Sequence, residues 1–180
     1  AAGASVGKLK NVAYVAGSAE SIPLGSQSCE LAWLSQVWHH IRDVDGCGRE
    51  LRRVVRPGGH VLVRGTFGDR LDGFPTLFRF WPATRRICQQ LPTVQQTVRV
   101  FEANGFAFAE HRRVQQMTCA SLSEFATRTR ARADSALALI SDVEFQQGQE
   151  AIEAAAHAQV PAPVIGRIVL LVFSWWANPT

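Results

Sequence analysis

Residues 29–67 read CELAWLSQVWHHIRDVDGCGRELRRVVRPGGHVLVRGTF. Leu31 to Leu34 is an apolar run that leaves through a mixed segment, Ser35, Gln36, His39 and His40. Asp43 or Asp45 is placed to cap a helix with Val44, Cys47, Leu51 and Val54 at three- and four-residue spacing. Arg56-Pro57-Gly58-Gly59 stops it, because proline cannot continue a helix and glycine accepts a left-handed turn. His60 to Phe67 is a second apolar, β-branched run. Strand, helix, Pro-Gly-Gly turn and strand make a βαβ unit, which predicts an α/β fold with a parallel pair.

Outward from this unit, Val12 to Ala16 reads as a short buried strand, with residues 1–10 a frayed helix before it. Gly17-Ser18-Ala19-Glu20-Ser21-Ile22-Pro23-Leu24 is the loop that follows. Residues 68–92 mix Phe74, Phe78, Phe80 and Trp81 with Arg70, Arg79, Arg85 and Arg86. They read as a lid or a helix pair. Thr93 caps a helix carrying Val94, Val98 and Phe101, which Asn104-Gly105 ends. Phe106 to Cys119 is a long strand. Ser121-x-x-Glu124 and Ser141-x-x-Glu144 are capping boxes; the first opens a helix over 122–133, with Arg128 and Arg132 on a solvated face. Gly166 to Trp176 is the final strand.

Composition bounds the class. The 180 residues, 47% hydrophobic and 19% charged, suit one globular domain. A net charge of +4 is too modest to argue for nucleic acid. Cys29, Cys47, Cys88 and Cys119 are scattered, with no C-x-x-C; this disfavours a zinc site or disulfide framework and fits a cytoplasmic protein. No apolar run is long enough to span a bilayer, and no signal peptide is visible. Gly46-Cys47-Gly48 follows a helix start and lacks a third glycine, so it is not a dinucleotide fingerprint.

Three segments carry a family resemblance: Gly17 to Leu24, Ser35 to His40, and the Leu51 to Gly59 run LRRVVRPGG. In this order they resemble the class I S-adenosylmethionine-dependent methyltransferases, most of all the ubiquinone- and menaquinone-biosynthesis (type 11) group. The resemblance implies a partial Rossmann-like fold: a mixed, mostly parallel sheet with helices on both faces and an antiparallel C-terminal edge. It implies S-adenosylmethionine as cofactor and a small-molecule methyl acceptor. The cofactor residues it implies are Gly17, Ser18, Ala19, Glu20, Ile22, Ser35 and Gln36. Ser18 stands where the family often has Asp, so adenine is met by a hydroxyl without charge assistance. Residues 68–92 and 120–160 correspond to acceptor-side or lid elements.

His39 and His40 are the catalytic candidates, since neutral imidazole suits proton removal near pH 7. Neighbouring side chains point apart, so the pair is not expected to chelate a metal, and one of the two is expected to cap or sit on the surface. The family's Gly-x-Gly-x-Gly turn and its ribose-binding acid are not found in the sequence. The chain therefore reads as a single domain, the C-terminal portion of a methyltransferase domain, impaired in catalysis. Its four remaining strands would form a mixed sheet, with Val12–Ala16 sliding in beside Leu31–Leu34 and self-association through an exposed edge. The alternatives are a non-catalytic fold remnant or interaction module, and a nucleic-acid binder using the arginine-aromatic segment.

Overall fold

The computed structural model describes residues 11–176. Its strands are β1 (Cys29–Ser35), β2 (Val55–Gly65), β3 (Ala107–Cys119) and β4 (Val164–Ser174). They form one sheet in the order β1-β2-β4-β3. β1 and β2 are parallel, with Leu31 opposite His60 and Leu34 opposite Val63. β4 is antiparallel to both β2 and β3, so three strands point one way and β4 opposes them. The four strands thus form a mixed sheet with antiparallel pairing at its C-terminal strands, as the resemblance implies.

The βαβ unit forms as its pattern dictates. Helix α1 (Val44–Val54) starts at Asp43, whose Oδ1 accepts from the Gly46 N–H at 2.8 Å. Cys47, Leu51 and Val54 are buried against the sheet. The helix stops at Val54, three residues before Pro57, and the residue preceding proline, Arg56, is pushed to extended geometry. β2 begins at once, at Val55 and not at His60, and runs through the Pro-Gly-Gly turn. Gly58 takes φ +78°, and its N–H donates to the Trp175 carbonyl at 2.6 Å.

Helix α2 (Pro75–Phe80) and α3 (Ala83–Cys88) precede α4 (Val94–Ala103). The Thr93–Gln96 capping box opens α4, and Val94, Val98 and Phe101 pack beside α1 on one face of the sheet. Helices α5 (Leu122–Thr129), α6 (Ser135–Ala138) and α7 (Asp142–Ala158) lie between β3 and β4 in sequence. They join α2 and α3 around a second core of Leu77, Phe80, Trp81, Leu137, Ile140 and Ile152. The Trp81 indole N–H donates to the Phe145 carbonyl at 2.9 Å, and a Cβ at Gly148 would overlap that indole. The segments 68–92 and 120–160, far apart in sequence, thus build one body.

Three expectations are corrected. Val12 to Ala16 is irregular and exposed, with Tyr14 at 80%, and does not pair with β1. All five side chains face solvent, so pairing would order backbone without burying apolar surface in return. Helix α5 ends at Thr129, not at residue 133. Arg132, at φ +48°, turns inward to donate to the Leu137 and Ile140 carbonyls and pairs with Asp142, so it belongs to no solvated face. The expected helix over residues 1–10 lies outside the described residues.

β1 is an edge of the sheet, and only Leu34 on it is buried. Leu31 and Trp33 are 52% and 53% exposed. A free edge with half-bare apolar side chains invites pairing with another chain. Light scattering should therefore show oligomers at high concentration, and Trp33→Lys should shift them towards monomer. A monodisperse wild-type monomer at the same concentration would contradict this.

Candidate functional site

A cavity of about 540 Å³ opens where β1, β2 and β3 end. Ligands of open α/β sheets sit beyond the carboxyl ends of their strands. Its floor is made of strand exits: Gln36, His39 and His40 after β1, Thr66 after β2, Gln116 and Thr118 near the end of β3. Its roof comes from the helical body, with Phe74, Leu77, Ile87, Phe125 and Leu137.

Buried Trp38 positions the floor. It sits in a single 3-10 turn, Trp38–His40, with its indole N–H donating to Thr97 Oγ1 at 2.9 Å and its ring 5.2 Å from that of Phe101. The turn is thereby bolted to α4, and the next two residues are held at the cavity. His39 and His40 do not splay apart: their ring centroids lie 4.0 Å apart at 47°. Both line the cavity, His39 half-buried and His40 exposed, so one of the two does sit at the surface, as expected. A 3-10 turn brings neighbours closer in projection than a strand does. Burial lowers the His39 pKa below its usual 6.5 and the adjacent His40 lowers it further, with Asp134 opposing. His39 is therefore neutral at pH 7. Its protonation weighs against the folded state as pH falls below about 6.5.

Gln36 holds φ +56°, a left-handed conformation uncommon outside glycine, and its N–H donates to the Arg64 carbonyl at 2.8 Å. Such backbone is tolerated where the surroundings over-determine it. Neighbouring Ser35 accepts from Arg64 Nη1 at 3.0 Å, and Arg64 also donates to Gln116. One guanidinium thus ties the β1 exit to β3 across the sheet.

The Gly17–Leu24 loop lies apart from the cavity lining, along α1. Glu50 Oε2 accepts from the Ile22 N–H at 2.8 Å, and Arg53 donates to the Ile22 and Leu24 carbonyls at 2.8 and 2.7 Å. Arg53 also holds Glu50 through a 2.7 Å ion pair. Ala19 and Ile22 pack on the first core, and Ser18 and Ser21 form a short bridge. Of the seven cofactor residues expected, only Gln36 lines the cavity, which both histidines also line. Gly17, Ser18, Ala19, Glu20 and Ile22 flank α1, and Ser35 is engaged by Arg64.

A family profile described as "Methyltransferase domain" matches residues 1–63. The uncharacterized protein YafE of Escherichia coli K12 is 34% identical over 56 residues, 31% of this chain and 27% of that one. A candidate methyltransferase from Bacillus halodurans superposes with a TM-score of 0.57 at 16% identity, covering 92% of this chain and 78% of that one. The [4+2]-cyclase SpnF gives 0.54 at 18% identity, over 91% of this chain and 57% of its own. This is a class I methyltransferase fold. The chain spans about a quarter of the length of the curated relative and just over half of the cyclase.

Within that methyltransferase fold, the sequence missed Gln116, Asp134 and Arg128 at the cavity. Gln116 could have been found from its place near the carboxyl end of a strand; Asp134 and Arg128 depend on how the helical body seats, which no local pattern reveals. Part of the arginine-aromatic segment is core. Trp81 and Phe80 are buried, Arg86 pairs with Glu144, and Arg85 lies 5.4 Å over Phe78. Phe74 and Phe78 are half-buried, and Phe74 reaches the cavity lining. Among the described residues no cluster could hold a metal, and no helix is long and apolar enough to cross a membrane. Cys88, at the cavity, has its thiol pushed up to about 11, first by burial and then by Asp134.

Two outcomes follow for the methyltransferase fold's framework. Trp38→Ala should cost about 3–5 kcal/mol in urea unfolding, whereas Thr97→Val, which removes only the hydroxyl, should cost about 1 kcal/mol. The Arg53 hydrogen bonds and the Ile22 N–H hold Glu50 down to about 2 from an ordinary 4.5. Its stabilisation is complete above pH 4.5 and fades as pH falls towards 2. Amide exchange at Ile22 should accelerate over that interval relative to core amides, and Glu50→Ala should show the faster exchange already at neutral pH. Unchanged protection in the variant would mean that the clip does not hold the loop.

Proposed function

We propose that this chain serves S-adenosylmethionine-dependent methyl transfer to a small-molecule acceptor, with the cavity at the strand ends as the acceptor site. The observation that carries this reading is a cavity of about 540 Å³ with a polar floor and an apolar roof. It falls within the roughly 300–1,000 Å³ usual for small-molecule sites. Residues 68–92 and 120–160 serve as the acceptor-side body. His39 or His40 is the base, and neutral His39 is in the right state to accept a proton.

The fit to the cofactor is that of a half-site. The Ser18 hydroxyl and the Ala19 N–H have no hydrogen-bond partner among the described residues, and Ala19 and Ile22 offer an apolar ledge on the first core. These groups would hold the adenine, with Gln36 towards the methionine portion. When bound, S-adenosylmethionine supplies an electrophilic methyl group. The chain's own residues orient the acceptor, exclude water and take its proton. With no glycine-rich turn and no ribose carboxylate in the sequence, this reading includes weak cofactor binding and impaired turnover in the 180-residue chain. Loss of a charged hydrogen bond alone costs on the order of 2 kcal/mol.

The fold also carries a [4+2]-cyclase, so the fold by itself does not fix the reaction. Calorimetry with S-adenosylhomocysteine separates a methyltransferase half-site from a non-catalytic interaction module. Weak binding is expected, reduced further by Ala19→Pro, which removes the N–H. No binding at millimolar ligand would sink the cofactor assignment, and tight binding would sink the claim of impairment.

A further inference from the structure

The β1 exit is held from one side of the sheet. β1 is an edge strand, and Ser35 opposite Arg64 is the last pair of its ladder with β2. The next residue, Gln36, lines the cavity with its backbone in the left-handed region, which persists only where the surroundings over-determine it. Those surroundings are Arg64 and Gly65. The Gln36 N–H donates to the Arg64 carbonyl at 2.8 Å, and Arg64 Nη1 donates to Ser35 Oγ at 3.0 Å. A Cβ at Gly65 would lie 3.6 Å from Gln36 Oε1, so that side chain lies over the glycine.

The other arm of the same guanidinium reaches a second cavity residue. Arg64 Nη2 donates to Gln116 Oε1. Ser35 is on one outer strand of the sheet and Gln116 on the other. A forked head on a long stem can serve both at once, whereas an ammonium is a single point. The bond also fixes which end of the Gln116 amide is free: the oxygen is taken, and Nε2 remains a donor without a partner among the described residues. Arg64 is half-buried, and no ion pair among the described residues includes it. Its charge is spent on two neutral acceptors, and bonds from a charged donor are the stronger kind.

We propose that Arg64 is a positioning residue that couples the two halves of the site. It does not line the cavity and acts through others: it sets the Ser35–Gln36 exit on the cofactor side and the donor that Gln116 presents on the acceptor side. A change at Gln116 is therefore felt at Gln36. What occupies the exit rests on the methyl-transfer reading above; the coupling between the residues does not.

The test is calorimetry of the 180-residue chain with S-adenosylhomocysteine, joined to amide NMR of the unliganded protein. Gln116 lies outside the cofactor half-site, yet Gln116→Leu should weaken S-adenosylhomocysteine about fivefold and shift the Gln36 backbone amide. Gln116→Glu, which still accepts from the guanidinium, should bring both back near wild type. Arg64→Met should weaken the ligand by a similar factor, and adding Gln116→Leu to it should change little further, because the two act as one network. Arg64→Lys, with the charge but not the fork, should not restore the affinity. A merely structural role would give additive losses with no recovery in Gln116→Glu. Additive losses, or a Gln36 amide unmoved by Gln116→Leu, overturn the assignment. If Arg64→Met misfolds, the contrast between Gln116→Leu and Gln116→Glu decides. If the wild type does not bind S-adenosylhomocysteine, the methyl-transfer reading falls and the Gln36 amide alone decides the coupling: a shift in Gln116→Leu that Gln116→Glu reverses upholds it, and no shift removes it.

Discussion

The structure depends on the packing around Phe101. This side chain is fully buried and stacks on Phe173 of β4 at 4.1 Å and 16°. Phe106 meets it edge-on at 5.7 Å, and Trp38 packs at 5.2 Å. One ring on α4 therefore joins the oppositely directed strand, the entry to β3 and the exit of β1. Aromatic contacts of this kind add roughly 0.5–1.5 kcal/mol each beyond area burial. Their larger consequence here is positional: the site's floor inherits its geometry from the hydrophobic core.

The electrostatics follow the same division. Within the first core, Cys47 has its thiol pushed up to about 12 by burial and three nearby carboxylates, which leaves it a small apolar filler. At the cavity, burial acts on His39 in the opposite chemical sense, keeping it neutral and able to accept. Desolvation makes one group inert and another available, because the ionised thiol is an anion and the ionised imidazole a cation.

What was legible in the sequence was local. Asp43, Thr93 and Ser141 announce helix starts through their own backbone neighbours, and each cap formed. The Pro57 stop followed from proline sterics and the parallel β1–β2 pair from the crossover rule, whereas the place of the last two strands came from the family resemblance. What was not legible was long-range. Val12 to Ala16 has strand composition but no buried face to occupy, so its propensity goes unrewarded. Arg132 reads as a helix-surface residue, until its left-handed backbone turns the guanidinium onto carbonyls of the following loop. The close pairing of the histidines depends on Trp38 finding Thr97 across the fold, and that contact is invisible to periodicity.

The roof and the floor are packed in separate clusters. Leu77, Trp81, Leu137 and Ile152 keep to one, and Phe101, Val63, Leu171 and Phe173 to the other. Substitutions in non-touching clusters add nearly independently. The helical roof can therefore be recut to a new ligand outline while the sheet keeps its stability and the imidazoles their station. In evolutionary terms the fold is modular at its cavity wall, so selection can change the outline of what is held without renegotiating how the histidines are presented.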